Sequence, residues 1–136
     1  MMSENHYTTL IGELARNYGY DQEKLLSEEP VTINGVDFRF EHNDALKPSQ
    51  LLVFCLYGNL PVERITEACV ALLEANMLLF YNRGPRSVFT LSPGTDEAWL
   101  MDSYPLEELS AKELSEYLAQ TADQALLWRK DYFLDD

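Results

Sequence analysis

Basic residues are scarce in this sequence. Ten Lys and Arg stand against 23 Asp and Glu among 136 residues, which gives a formal net charge of −13 and a pI near 4.4. Such a surface repels the phosphates of nucleic acids and the headgroups of anionic lipids. We therefore expect no nucleic-acid partner and no membrane insertion. Many small cytosolic proteins are equally acidic, so the charge alone identifies no partner.

Cysteine and histidine are also scarce. Cys55 and Cys69 both lie in apolar runs, which predicts free, buried thiols. His6 and His42 have no second metal ligand at a suitable spacing. The sequence contains no metal-binding motif, no phosphate-binding glycine loop and no glycine context for a nucleophilic serine. Adjacent carboxylates such as Glu28 and Glu29 stand in polar stretches and are typical of a solvated face. We expect no metal, no cofactor and no enzymatic activity.

Neither a secretion signal nor a membrane span is recognisable. The first nine residues are polar and contain neither a basic nor an apolar segment of a signal peptide. The longest apolar region, Ala68–Tyr81, is interrupted by Glu74 and Asn76 and is too short to cross a bilayer. These features predict a cytoplasmic protein.

The hydrophobic patterns predict one α+β domain over residues 1–136, with an antiparallel twisted sheet and three helices. Apolar residues at helical spacing from Tyr7 to Tyr18 indicate a first helix that ends before Gly19. Asn34-Gly35 joins two strands into a hairpin, and the strict alternation of the second strand places Val36, Phe38 and Phe40 on one face. The length is that of a single domain.

The rest of the chain completes the order α-β-β-β-α-β-β-α. The run 51–57 is apolar on both faces and predicts a central strand that is covered on both sides. After the middle helix, Ser87–Leu91 and Ala98–Tyr104 are two strands joined by a turn. Ser110 and Glu113 have the spacing of a capping box and begin the last helix.

The middle helix is apolar nearly all round, from Ala68 to Tyr81. A helix of this kind needs cover on more than one side, and the sheet covers only one. We hypothesise that the same helix of a second copy covers the other side, which gives an isologous homodimer. The alternative is a helix that is wholly buried within one monomer.

Several segments of the second half resemble the Tir-chaperone family, the class I type III secretion chaperones. The similar segments are Leu72-Leu73-Glu74-Ala75-Asn76, Phe89-Thr90-Leu91-Ser92-Pro93-Gly94, Trp99-Leu100 and Pro105-Leu106, with Leu109 and the closing helix to Trp128. The resemblance extends over Tyr7–Arg129 and is strongest over Leu72–Leu109. The chain departs from the family at Tyr81-Asn82-Arg83, where a Gly-rich connection is usual, and in its longer loop His42–Ser49.

The resemblance implies a function. Members are small, acidic homodimers in the cytoplasm of bacteria that inject effectors into host cells. Each holds the N-terminal segment of an effector in an extended form, which keeps the effector soluble and competent for secretion without ATP. The resemblance thus implies a secreted effector as the partner of this chain. A protein of the same fold that regulates a folded partner is the alternative.

The resemblance also implies two sets of contact residues, although plain core packing is an alternative for every one of them. The expected homodimer interface consists of Ile65, Cys69, Leu72, Leu73, Asn76, Val88 and Trp99. The expected effector-binding residues are Leu10, Leu14, Val36, Phe38 and Phe40. An extended segment could also dock by adding a strand to the sheet.

Overall fold

The computed structural model describes residues 2–43 and 49–131, so most of the predicted loop 42–49 lies outside the described residues. The described strands are β1 (Val31–Ile33), β2 (Val36–Asn43), β3 (Gln50–Asn59), β4 (Ser87–Leu91) and β5 (Glu97–Pro105). These five strands form one antiparallel sheet in the order β1-β2-β3-β5-β4. The helices are α1 (Met2–Tyr18), α2 (Gln22–Leu26), α3 (Ile65–Arg83) and α4 (Ala111–Asp131). The predicted α+β fold and element order are confirmed, with the short α2 as an addition.

The β1–β2 hairpin forms as predicted. Ile33 pairs with Val36 across a two-residue turn. Asn34 and Gly35 have φ values of 52° and 83°, the left-handed conformation that a type I′ turn requires at both positions. The alternation of β2 then buries Val36, Phe38 and Phe40 completely on one face of the sheet.

Helix α2 is not among the helices predicted from the sequence. Asp21 caps it, because its side chain accepts a hydrogen bond from the Lys24 N–H at 3.2 Å. Its single buried side chain is Leu25, which is fully covered. Helix α1 ends where predicted, since Gly19 (φ 75°) donates its N–H to the Ala15 carbonyl. The three-residue connection Gly19–Asp21 thus places α2 against α1.

The helices α1, α3 and α4 contribute buried side chains to one core, which covers one face of the sheet. On the central strand β3, Leu51, Val53, Cys55 and Tyr57 are buried in the core that the helices cover. Their neighbours Leu52, Phe54 and Leu56, which point to the opposite face, are only half-buried. The predicted cover on both faces of β3 is therefore wrong for the described part of this chain. We call the less buried side the open face of the sheet.

Helix α4 begins at the predicted cap. The Glu113 N–H donates to Ser110 Oγ at 3.1 Å, and Ser110 Oγ donates to the Glu113 carboxylate at 3.0 Å. Its apolar stripe then runs through Leu114, Leu118 and Ala125, all of which are buried. The stripe packs on β3 and α1 and closes the core from the helix side.

Candidate protein-binding surfaces

Helix α3 exposes an unusual amount of apolar surface. Among its side chains from Ile65 to Asn82, three are buried, Ala68, Leu72 and Ala75. Its large exposed apolar side chains are Ile65, Val70, Leu73, Met77, Leu78, Phe80 and Tyr81. Leu73 is 69% exposed and Tyr81 is 76% exposed. Removing a Leu side chain of this kind from water contributes roughly 1.5–3 kcal/mol, so this face gains free energy from being covered.

The exposed side of α3 is shallowly concave. A depression of about 520 Å³ is lined by Val70, Leu73, Glu74, Met77 and Leu78. Four of these five side chains are apolar, and the fifth is the single carboxylate of the group. A contiguous exposed apolar patch of this kind is typical of a site of protein contact.

The predicted dimer residues divide into three groups in the structure. Ile65 and Leu73 lie on the exposed side of α3, and Cys69 is half-buried. Leu72 points inward and is buried against the core of the same chain. Their assignment to a dimer interface stays a prediction. Leu72 packs α3 against the core of its own chain.

Asn76, Val88 and Trp99 form the third group, next to or on the strands β4 and β5. The Asn76 amide makes two hydrogen bonds with the main chain of Phe89 in β4. Val88 and Trp99 lie half-buried on the open face of the sheet. Asn76 thus joins α3 to β4, whereas Val88 and Trp99 lie on the open face. Their part in a dimer stays a prediction.

The open face of the sheet is a second apolar surface. Phe54 pairs with Met101 and Leu56 with Trp99, and the side chains of all four are half-buried. A cavity of about 220 Å³ opens on this face, lined by Arg39, Glu41, Phe54, Thr90, Leu91, Ser92, Pro93, Glu97 and Trp99. The Trp99 indole N–H donates to the Glu97 carboxylate at 3.3 Å, which holds the ring at one side of this cavity. Apolar walls with a few charged groups suit an apolar side chain flanked by polar ones.

A third cavity, of about 360 Å³, lies between α3 and α4. Its base is an aromatic cluster in which Tyr57 and Phe89 meet edge to face, with ring centroids 4.8 Å apart, and Trp128 is 5.2 Å from Phe89. Gln120, Thr121 and Gln124 of α4 line it on one side. Sequence reasoning missed this cavity. The signal was available only in part, since Trp128 falls on the apolar stripe of α4 while its aromatic neighbours come from distant strands.

The predicted effector-binding residues are all in the core. Leu10 and Leu14 of α1 are at most 5% exposed, and the three residues from β2 have no exposed surface. The structure brings the five together in one cluster, because α1 and β2 contribute to the same core. An effector could touch them only if α1 moved away from the sheet. Their assignment to effector contact stays a prediction.

Burial raises the pKa values of two side chains that pack in the core, Cys55 and Tyr7. Burial raises the pKa of the Cys55 thiol, an effect that Arg129 partly opposes and Asp102 reinforces. Burial likewise raises the pKa of Tyr7 to about 12, with a smaller contribution from the Glu28 carboxylate. The Tyr7 hydroxyl donates to the Leu25 carbonyl at 3.0 Å. These shifts belong to neutral groups that pack in a core.

Neither a metal site nor a membrane helix is found in residues 2–43 and 49–131. No three His, Cys, Asp or Glu side chains in these ranges lie close enough together to hold a metal ion. No described helix combines the length and the hydropathy needed to cross a bilayer. What the described residues do show is apolar surface on α3 and on the sheet.

Comparison with known proteins agrees with this fold. Residues 9–129 match the model of the Tir chaperone protein (CesT) family. A chain in the crystal structure of the ExsC-ExsE complex has a similar fold, with a TM-score of 0.73 and 16% sequence identity over 95% of each chain. No curated protein matches the sequence.

Proposed function

Because this chain belongs to the Tir chaperone protein (CesT) family, we propose that it binds the N-terminal segment of a type III secreted effector. It holds that segment extended in the bacterial cytoplasm and keeps the effector soluble and competent for secretion. The family match supports a chaperone that binds another protein, and the chain of similar fold in the ExsC-ExsE complex supports the fold. The observation that carries the proposal is the large apolar surface left uncovered on this single chain.

The exposed side of α3 and the open face of the sheet are separate apolar surfaces, and each is assigned a different binding partner. A second copy suits the exposed side of α3, because an isologous contact places the same apolar residues of both copies against each other. Leu73 and Met77, each more than half exposed, are one turn apart and form the centre of that contact. We propose a homodimer through α3 on this basis. The dimer would bury side chains that are costly to leave in water.

The effector segment is proposed to occupy the open face of the sheet. This face offers a cavity between Phe54 and Trp99 together with the half-buried side chains of Leu52 and Leu56. The five core residues that the sequence reading proposed lie on the opposite side of the sheet, beneath the helices. They remain the second candidate site, and variants distinguish the two.

Acidic surface supports the same function. With 23 acidic against 10 basic residues, like-charge repulsion opposes non-specific association of the protein outside the proposed dimer contact. Repulsion of this kind opposes aggregation through exposed apolar patches, which is the hazard that an uncovered helix face creates. A chaperone whose apolar surfaces are exposed before its partner binds is kept from aggregating by this repulsion.

The experiment is affinity capture of the tagged protein from its own bacterium, with mass spectrometry of the bound proteins and limited proteolysis of the complex. We expect one major partner that is protected over a segment near its N-terminus. Protection of a compact folded domain instead would support a regulator of the same fold. If no protein is captured, the proposed function is contradicted.

Variants then locate the effector site. Phe54→Glu places a charge in the cavity of the open face and is expected to abolish capture of the partner, with the dimer retained. Leu26→Glu is the matched control, because Leu26 is 41% exposed on α2, away from that face. Circular dichroism establishes that both variants are folded. Capture at the wild-type level by a folded Phe54→Glu variant rejects the open face as the site.

A further inference from the structure

The outer edge of the sheet at β4 is occupied by a side chain. Strand β4 is last in the sheet order and, within residues 2–43 and 49–131, pairs with β5 alone. The Phe89 N–H donates to Asn76 Oδ1 at 2.6 Å, and Asn76 Nδ2 donates to the Phe89 carbonyl at 3.4 Å. In an antiparallel strand the N–H and C=O of one residue point to the same side. Both main-chain groups of Phe89 therefore point away from β5 and towards α3.

The Asn76 amide does for Phe89 what a residue of a neighbouring strand would do. A carboxamide carries one acceptor and two donor hydrogens, so it can satisfy an N–H and a C=O together, as a peptide group does. Phe89 is the middle residue of the five in β4. An added strand needs main-chain N–H and C=O groups that are available along the edge. The hydrogen bonds to Asn76 occupy both of these groups of Phe89, at the middle of the β4 edge.

The position of Asn76 is held by its neighbours on α3. Leu72 and Ala75, one turn before it and immediately before it, are buried in the core. These contacts keep α3 against β4 over the middle of the strand. The amide is therefore preset by packing of the helix and does not depend on a mobile surface side chain.

We propose that Asn76 closes the β4 edge of the sheet, so that neither a second copy nor a partner segment can add a strand there. Binding at this end of the molecule then takes place through side chains on α3 and on the open face. The exclusion of a partner segment rests on the proposed function. The closed edge itself concerns this chain alone, and both tests below measure the edge without a partner.

The first test is hydrogen exchange of single amides in the full-length protein, followed by NMR. Thr32 serves as the reference for an open edge, because hairpin alternation turns its main-chain groups away from β2. We expect the Phe89 amide to exchange at least about tenfold more slowly than the Thr32 amide, as a hydrogen bond of about 1.4 kcal/mol would give. Equal exchange of the two amides overturns the proposal.

Two substitutions at position 76 separate the roles of the amide. Asn76→Leu keeps the size of the side chain and removes both hydrogen bonds, so exchange at Phe89 should rise about tenfold. Asn76→Asp keeps the acceptor for the Phe89 N–H and is expected to change that exchange by less than about threefold. Asn76→Asp also tests the proposal if Asn76→Leu fails to fold. If exchange of the Phe89 amide rises about tenfold in Asn76→Asp as well, the side-chain oxygen at position 76 does not protect this amide, and the proposal is overturned.

The second test is self-association. Freed donors and acceptors on β4 should let Asn76→Leu form species larger than wild type over a concentration series in size-exclusion chromatography with light scattering. Asn82→Leu is the matched control, since Asn82 is an exposed Asn of the same helix. An Asn76→Leu variant with the wild-type size at every concentration contradicts a blocking role. Neither test involves a partner, so the result stands apart from the effector proposal.

Discussion

Arg129 near the end of α4 holds the main chain of Tyr57 at the end of β3. Its Nε donates to the Tyr57 carbonyl at 2.6 Å, and its Nη2 donates to the preceding carbonyl, of Leu56, at 2.7 Å. The pairing of β3 with β5 shifts register between Leu56 and Gly58. The guanidinium therefore binds where the sheet is irregular, and it joins the last helix to the central strand.

Replacing Arg129 should lower stability. Arg129→Ala removes two charge-assisted hydrogen bonds from a half-buried site, so we expect the free energy of unfolding to fall by about 2–4 kcal/mol in urea titration. Arg129→Lys keeps the charge but lacks the planar fork, and its loss should be smaller. A loss below about 0.5 kcal/mol for the Ala variant would show that water replaces the guanidinium at no cost.

A charge on α3 should separate the proposed dimer. Leu73→Glu puts a carboxylate at the centre of the exposed helix face in both copies, where neither is solvated after association. Light scattering is expected to give a dimer for wild type and a monomer of unchanged circular dichroism for the variant. Leu26→Glu adds the same charge on α2 and should remain dimeric. A wild-type monomer at micromolar concentration rejects the dimer outright.

Leu14 distinguishes a core residue from a binding residue. Its side chain has no exposed surface, so Leu14→Ala should lower the free energy of unfolding by about 2–5 kcal/mol through lost contacts and the cavity left behind. Urea unfolding measures this loss. Thr8→Ala, at an exposed position of the same helix, is the control and should leave stability within about 0.5 kcal/mol. A Leu14→Ala variant of wild-type stability that fails to capture the effector would instead favour the effector-binding assignment.

Tyr7 should make the fold sensitive to alkali. Its pKa is raised from 10.0 to about 12 by burial, so the unfolded chain releases the phenolic proton at a lower pH than the folded chain. The stability due to neutral Tyr7 is thus complete below pH 10 and declines as pH rises towards 12. Tyr7→Phe should flatten this decline in thermal unfolding at several pH values. Tyr81→Phe, at an exposed position, should leave the decline unchanged. If Tyr7→Phe also leaves the decline unchanged, groups other than Tyr7 cause it.

Local patterns predicted most of the architecture because their causes lie within a few residues. Asn34-Gly35 specifies its turn through the left-handed conformation that these residues tolerate, and the strict alternation after it places three side chains of β2 in the core. The Ser110 cap needs only Glu113, three residues further on. The hydrophobic pattern does not predict the short α2, because a five-residue helix has too few turns to show a periodicity. Asp21, which caps the helix, is the local signal for it.

The candidate surfaces were predicted less completely. The apolar character of α3 predicts a helix with an uncovered side, which the described residues have, and the family resemblance is confirmed by the match over residues 9–129. The resemblance implies effector residues at apolar positions of α1 and β2, and sequence pattern alone does not say whether such a position faces a core or a groove. Their burial became visible only with the packing of α1 and α4 above the sheet.

By itself, the sequence determined the turns, the caps, the order of strands and helices and the strong negative charge, since each depends on the residue and its near neighbours. The tertiary structure alone decided which side of an all-apolar helix stays in water, which face of β3 is open, and what Asn76 and Arg129 bind. Asn76 reaches a residue 13 positions away, and Arg129 reaches carbonyls 72 and 73 positions away. Contacts over such separations follow from how the elements pack, and no periodicity in the chain encodes them.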